Sequence, residues 1–261
     1  MTTNNITDKR WSLQGTTALV TGGCNGIGLG IVKELVSLGA TVHVCDKNEP
    51  DLIKRLEQWE EQHLPITGSL CDVSSRDDRH KLIEKASSLF NGKLDILVNN
   101  AGVVLFKPTV SYTAEEFSFI MSTNFESAFH LSQLAHPLLK ASGSGSIVFI
   151  SSIAGLIGAN NVSLYAASKA AMNQLVKNLA CEWGKDNIRA NGIAPALIRT
   201  PLLLQNYENK KISEIITHVP LGRAGEPQDV ASLAVFLCLP SASYITGQII
   251  CVDGGRSINI S

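Results

Sequence analysis

The stretch Ala18-Leu-Val-Thr-Gly-Gly-Cys-Asn-Gly-Ile-Gly28 runs from an apolar, strand-like segment into a helical pattern that begins near Ile27. Its glycines Gly22, Gly26 and Gly28 allow a tight turn, close backbone approach to a pyrophosphate, and close packing of helix on strand. The remaining loop residues, Cys24, Asn25 and Ile27, complete a cradle at the helix N-terminus, where unpaired N–H groups and the helix dipole favour phosphate. A glycine-rich loop by itself is equally a plain strand-to-helix turn, so its context decides. Here the context is strand, turn and helix, in the first β-α unit of the chain.

Outward from that loop the next charged position is Asp46, which closes the apolar run Thr41-Val-His-Val-Cys-Asp46 eighteen residues after Gly28. A carboxylate at the end of the second strand can accept hydrogen bonds from adenosine ribose hydroxyls, and it repels a 2′-phosphate. A strand-end carboxylate also often caps the following turn. The adjacent Lys47 could meet a 2′-phosphate if turned inward, whereas Asn25 in the loop is uncharged where a second basic residue would help to hold one. On this charge balance the expected cofactor is NAD, with NADP the alternative.

Similar apolar runs recur along the chain at Thr17 to Thr21, Thr41 to Asp46, Ile66 to Asp72, Leu94 to Asn99, Ser146 to Ser151, Ile188 to Ala194 and Gln248 to Val252. They are nearly continuous rather than alternating, as expected of strands covered on both faces. Helical patterns of about 12 to 20 residues separate them, the alternation of a parallel doubly wound sheet. One such pattern, Ser75 to Phe90, opens with Ser, Arg, Asp and Asp and ends at Asn91-Gly92, and a Ser/Gly turn spans Ala141 to Gly145. No repeat or linker divides the chain. The reading is an α/β fold: a single-domain doubly wound (Rossmann) sheet of about seven parallel strands with helices on both faces, spanning 1–261 with a core at about 13–255 and a polar tail at 1–10.

Composition narrows the partners. The 261 residues are 44% hydrophobic, enough for a sizeable core, and carry a net charge of −1. With a pI near 6.6, nucleic acid and anionic membrane are not expected partners. Met1 to Arg10 lacks the apolar stretch of a signal peptide, no run reaches membrane-spanning length, and the terminal Ile-Asn-Ile-Ser carries no lipidation or peroxisomal signal. A cytoplasmic location is expected. The cysteines Cys24, Cys45, Cys71, Cys181, Cys238 and Cys251 lack the paired spacing of a zinc site and read as free thiols. The histidines form no ligand pair, so no metal is expected.

Chemistry concentrates in Tyr165-Ala-Ala-Ser-Lys169, which sets a phenol and an ammonium four residues apart on one helix face. Free tyrosine, with a pKa of about 10, is a poor base at neutral pH. A lysine one turn away, with the positive nicotinamide of NAD⁺, stabilises the phenolate, so that tyrosine can exchange a proton with an alcohol or ketone. Ser152 lies thirteen residues earlier, just after a strand, where a hydroxyl reaches the ligand crevice and can bind the substrate oxygen. Asn99-Asn100-Ala101-Gly102 ends the fourth strand in the same crevice. Asn124, between two helical stretches, reads as an amide that holds a water for proton relay, or as a local cap.

Taken together, these motifs resemble the short-chain dehydrogenase/reductase family. Thr21-Gly22-x-x-x-Gly26-Ile27-Gly28, Asp72-Val73, Asn99-Asn100-Ala101-Gly102, Asn124, Ser152 and Tyr165-x-x-x-Lys169 stand in that family's order, and the match runs from Leu13 to Asp253-Gly254-Gly255. The resemblance implies a catalytic tetrad of Asn124, Ser152, Tyr165 and Lys169, with Lys169 also on the nicotinamide ribose and Asp72-Val73 at the adenine. It further implies a homotetramer or homodimer. Arg10 to Thr21, His130 to Ala135 and Leu179 to Trp183 are similar to plant tropinone reductase-like members. Those reductases typically carry Ser-Arg after the second strand and use NADPH, where this chain has Asp46-Lys47. The family's usual Pro-Gly after the sixth strand is Pro195-Ala196 here, while Ile198 and Thr200 match positions that contact the carboxamide.

On the substrate side Leu197, Leu202, Leu203, Leu204 and Tyr207 form a leucine-rich segment that reads either as a lid or as an amphipathic helix packed on the core. Val104, Leu105, Ile153, Ile157 and Val162 are the expected apolar wall. The loop Asn160 to Leu164 has no carboxylate, so a cationic amino ketone finds no partner there. The expected substrate is a small hydrophobic alcohol or ketone, terpenoid or alicyclic. The rival readings are an NADPH-dependent tropinone reductase-like ketone reductase and a non-catalytic dinucleotide-binding sensor or scaffold, which would show a broken tetrad.

Overall fold

Seven parallel strands align in the order β3-β2-β1-β4-β5-β6-β7: β1 Thr17–Thr21, β2 Thr41–Asp46, β3 Ile66–Leu70, β4 Ile96–Asn99, β5 Ser146–Ile150, β6 Arg189–Pro195 and β7 Ile249–Val252. The computed structural model describes residues 9–206 and 209–259. The expected lid residue Tyr207, residues 1–8 of the polar tail and the terminal Ile260-Ser261 lie outside the described residues. The helices are α1 Gly26–Ser37, α2 Glu49–Glu61, α3 Arg76–Leu89, α4 Ala114–Met121, α5 Ser127–Ser142, α6 Ser163–Trp183, α7 Pro201–Asn206, α8 Asn209–Ile216 and α9 Pro227–Cys238.

Successive side chains of a strand face opposite ways, and the apolar runs fill both faces accordingly. Val20, Val44, Val98 and Val148 pack with Ile31 and Leu35 of α1, Trp59 of α2 and Val230 and Ala234 of α9. Leu19, Cys45, Leu97, Ile147 and Phe149 point the other way, onto Leu82 of α3, Leu131 and Leu139 of α5 and Met172 and Val176 of α6. This is the doubly wound sheet the sequence predicts. Strand order reverses between β1 and β4, and a crevice opens at the carboxyl ends of the strands there.

Several element ends fall inside the expected ones. β3 stops at Leu70 rather than Asp72, because Asp72 Oδ1 accepts from the backbone N–H and hydroxyl of Ser74 and turns the chain away. β4 starts at Ile96 rather than Leu94, with Asp95 turned sideways to accept from the N–H and Oγ1 of Thr17. The Ser75 hydroxyl caps α3 by accepting from Asp78 N–H, and Asn91 and Gly92 close it with φ of 53° and 75°. Asn124 lies between two helical stretches as expected, in a π turn, Ser122–Glu126, that joins α4 to α5.

Candidate active site

The glycine loop is shaped by steric need. Gly22 has φ +64° and Gly26 φ +53°, values that L side chains rarely adopt. A Cβ on Gly28 would sit 2.1 Å from the Gly22 carbonyl oxygen, so only glycine lets α1 start this close to β1. The Asn100 amide clamps the same turn, donating to the carbonyls of Thr21 at 2.8 Å and Gly22 at 3.0 Å. Cys24 departs from its expected place on the crevice wall. Its side chain is fully buried, and burial, with Asp46 beside it, pushes the thiol up to about 12. Its backbone does the work instead, with N–H donating to Asp46 Oδ2 at 3.4 Å and carbonyl accepting from Arg55 Nε at 3.0 Å. Gly28 likewise acts by packing and does not line the crevice.

The crevice, about 1360 Å³, is lined at this end by Gly22, Asn25, Gly26, Ile27, Asp46, Lys47, Asp72, Val73, Asn100 and Gly102, all expected there. Asp46 also caps the local turn, its Oδ1 accepting from Asn48 N–H at 3.1 Å. Lys47 Nζ lies 5.8 Å from the centre of the Phe119 ring. Burial raises the Asp72 carboxyl, but hydrogen bonds from Ser74 and the charge of Lys47 leave it below its ordinary range. Asp51 was missed by sequence reading. It lines the same wall and accepts from the Asn25 amide at 2.9 Å. Its signal was available, as an acid in the first turn of α2 just after the second strand, capped by Asn48.

Toward the middle of the sheet, Ser152, Tyr165 and Lys169 line the same crevice. Ser152 Oγ accepts from Ala154 N–H at 3.1 Å, which fixes the hydroxyl after β5 and keeps its proton for another acceptor. Lys169, 3% exposed, donates to the Ile150 carbonyl at 2.8 Å, and its Nζ lies 5.7 Å from the Tyr165 ring centre. Burial lowers its pKa to about 8. Asn124 differs from expectation. Its two amide protons go to the Val103 carbonyl (2.9 Å) and Ser168 Oγ (3.1 Å), and its Oδ1 accepts from Val103 N–H at 2.8 Å. Both side-chain N–H groups are thus taken and the amide positions the Val103 loop, while Oδ1, with one of its two lone pairs used, can still accept from a water.

The substrate end is lined by Val104, Ile153, Ile157, Val162, Leu197, Leu202 and Leu203, together with Pro195, Ala196, Ile198 and Thr200. Leu105 does not line it; its carbonyl accepts from Tyr112 Oη at 2.6 Å. Ile198 pairs with Gly225 in a short bridge, and Thr200 comes against Gly26, whose added Cβ would lie 3.2 Å from Thr200 Cγ2. α7 therefore starts beside the glycine loop and borders the crevice instead of packing as a core helix. Phe106, Ile215, Val219 and Arg256 also line it and were not foreseen. No periodic pattern marks them, although the Gly254-Gly255 turn, with φ of 61° and 87°, signals a chain reversal before Arg256. Among the described residues, no cluster of three metal-ligating side chains occurs and no helix is long and apolar enough to cross a membrane.

Comparison with known proteins places this geometry in a family. A family model described as Enoyl-(Acyl carrier protein) reductase matches residues 22–257. A tropinone reductase homolog of Arabidopsis thaliana is 61% identical over 255 residues, covering 97% of each chain. The structure of a 7α-hydroxysteroid dehydrogenase complexed with NADH and 7-oxo glycochenodeoxycholic acid superposes with a TM-score of 0.90 at 38% identity, over 95% of this chain and 96% of that one. A gluconate 5-dehydrogenase from Burkholderia cenocepacia in complex with NADP and tartrate gives 0.91 at 27% identity, over 97% and 99%. From the sheet order, the crevice at its switch point and these matches along nearly the whole chain, the protein is a member of the short-chain dehydrogenase/reductase family, an NAD(P)-dependent alcohol dehydrogenase/ketone reductase of that type.

Proposed function

We propose that this enzyme interconverts a secondary alcohol and a ketone on a small hydrophobic, alicyclic or terpenoid, substrate with NAD(H). The observation that carries the reading is the dry ammonium of Lys169 beside the Tyr165 ring in the crevice that Ser152 also lines. The residues present suit a dinucleotide. The turn at Gly22 to Gly28 leaves room for phosphates against the α1 N-terminus, Asp46 and Asp51 face the ribose end, and Asp72 and Val73 the adenine end. Pro195, Ile198 and Thr200 would border the carboxamide, and Lys169 the second ribose.

The bound nicotinamide would supply or accept the hydride. Tyr165 gives its phenolic proton to the carbonyl oxygen in reduction and takes it back in oxidation. Lys169, with a pKa of about 8, remains mostly ammonium at neutral pH and favours the phenolate by its charge. Ser152 donates its hydroxyl proton to the same substrate oxygen, steadying the charge that develops there. Asn124 positions the Val103 loop through its amide, and the lone pair left on its Oδ1 is where a relay water would donate.

Two carboxylates at the ribose end support NAD over NADP, since a 2′-phosphate would be repelled by both Asp46 and Asp51. The NADH in the hydroxysteroid dehydrogenase agrees with this, and the NADP in the gluconate dehydrogenase makes the NADP reading the second choice. Lys47, over Phe119, is the residue on which that second reading depends. A non-catalytic sensor is disfavoured because Ser152, Tyr165 and Lys169 are all present. A cytoplasmic homotetramer or homodimer completes the proposal. A screen of alicyclic and terpenoid alcohols with NAD⁺, read by absorbance of the reduced cofactor, should find turnover. Clearly tighter NADPH than NADH binding in a fluorescence titration would overturn the cofactor assignment.

A further inference from the structure

The polar groups along the crevice are unevenly distributed. Its lining carboxylates among the described residues, Asp46, Asp51 and Asp72, all lie at the end of β2 or just after β2 or β3. At the other end, after β7, the crevice meets one cation among the described residues, Arg256, beside Val219 and Ile215. The Asp253 carboxylate on the same turn is engaged by the backbone N–H groups of Gly255 (3.0 Å) and Ser257 (2.8 Å), which fix the turn and leave the guanidinium without it. Arg256 is partly buried, makes no ion pair among the described residues, and has one long contact, Nη1 to the Asn259 carbonyl at 3.5 Å. The sheet puts β7 two strands, about 10 Å, from β5, and both Arg256 and Ser152 line the crevice beyond those strands.

We propose that Arg256 recognises a carboxylate on the substrate, at the end of an apolar body whose reacting oxygen lies at Ser152 and Tyr165. The substrate class is then a hydrophobic keto or hydroxy acid. This rests on the alcohol/ketone reading above and narrows it. A planar guanidinium offers paired donors that match a carboxylate, and a partly dry setting strengthens the pairing. The leucine, isoleucine and valine walls between would take the apolar span.

The probes are a bicyclohexyl ketone carrying a carboxylate on the ring remote from the carbonyl, and its methyl ester. Binding is measured by titration calorimetry with NAD⁺ present, which cannot reduce a ketone. The acid should bind about tenfold more tightly than the ester. In Arg256→Ala the acid-to-ester ratio should fall to about one, in Arg256→Lys an intermediate ratio should remain, and in Arg256→Glu it should invert. Equal binding of acid and ester to the unsubstituted protein, an unchanged ratio in Arg256→Ala, or no binding of either probe would overturn the proposal. Turnover with NADH is read separately. Failure to reduce either probe counts against the reaction, whereas the role of Arg256 stands or falls on the binding ratio.

Discussion

Where β1, β2 and β4 end, the crevice is shaped by a glycine-rich main-chain turn with carboxylates beside it; where β5, β6 and β7 end, it is bounded by side chains carried on turns and short helices. At the first end Gly22 and Gly26 hold left-handed conformations, the Asn100 amide ties down two carbonyls, and the Cys24 N–H meets Asp46. At the second, Leu202 and Leu203 on α7, Ile215 on α8 and Arg256 after β7 form the boundary. A turn made of backbone keeps one shape for every sequence that can build it, whatever charges stand beside it. A wall made of side chains can be changed residue by residue without disturbing the sheet, which is how one scaffold serves different substrates.

The largest effect should come at the centre, where the two ends meet. Tyr165→Phe should lower kcat about 1000-fold on any substrate, the range for loss of a general acid–base, while NADH binding by fluorescence titration stays within about twofold. Wild-type turnover in this variant would remove tyrosine from the mechanism. Next, paired glycine substitutions test the backbone/side-chain contrast directly. Gly28→Ala drives a Cβ into the Gly22 carbonyl at 2.1 Å and should cost about 3 kcal/mol in urea unfolding. Gly158→Ala, on the substrate wall with open space around it, should change stability by less than about 0.5 kcal/mol. Equal costs would mean that the two ends are equally constrained.

Acid should lower the stability of the fold through a group on β2. His43 on β2 is fully buried between the hydroxyls of Thr67 and Ser69, and burial lowers its pKa from 6.5 to about 4. Between those values the unfolded chain binds the extra proton and the folded one does not. Stability is therefore full above pH 6.5 and falls as pH drops toward 4, by up to about 3 kcal/mol. In His43→Gln that slope should flatten in a series of pH-dependent unfolding curves; an unchanged slope would assign it to other groups. The smallest effect concerns the ribose. Asp46→Ser removes one of two carboxylates and should shift the NADH-to-NADPH affinity ratio about tenfold toward NADPH, with Asp51 retaining the remainder.

How far the sequence revealed each end follows from the same contrast. The apolar runs and the glycine spacing are local signals with a fixed period, and they led to the sheet, its order of elements and the phosphate-type turn. Errors arose where partners are distant in the chain. Nothing near Asn124 indicates that its N–H groups go to Val103 and Ser168, and nothing near Cys24 indicates that its thiol turns inward while its N–H turns to Asp46. Leu105 was placed on the wall by its neighbours, although its carbonyl is taken by Tyr112. Ile215, Val219 and Arg256 reach the crevice only because the chain after β6 and β7 returns over it, and such returns leave no periodic mark.

Lys169 has a meaning outside catalysis. An ammonium held 97% out of water by a single carbonyl bond, with its pKa down at about 8, is a charge the folded chain would rather lose. Lys169→Met should raise the melting temperature of the cofactor-free protein while ending turnover, an inversion of the usual effect of substituting a buried residue. A protein engineer ranking substitutions by thermal stability would thus be directed to the position that the chemistry can least spare. The same ranking, read backwards, becomes a way to find reactive sites: positions where a sequence keeps a residue that folding disfavours.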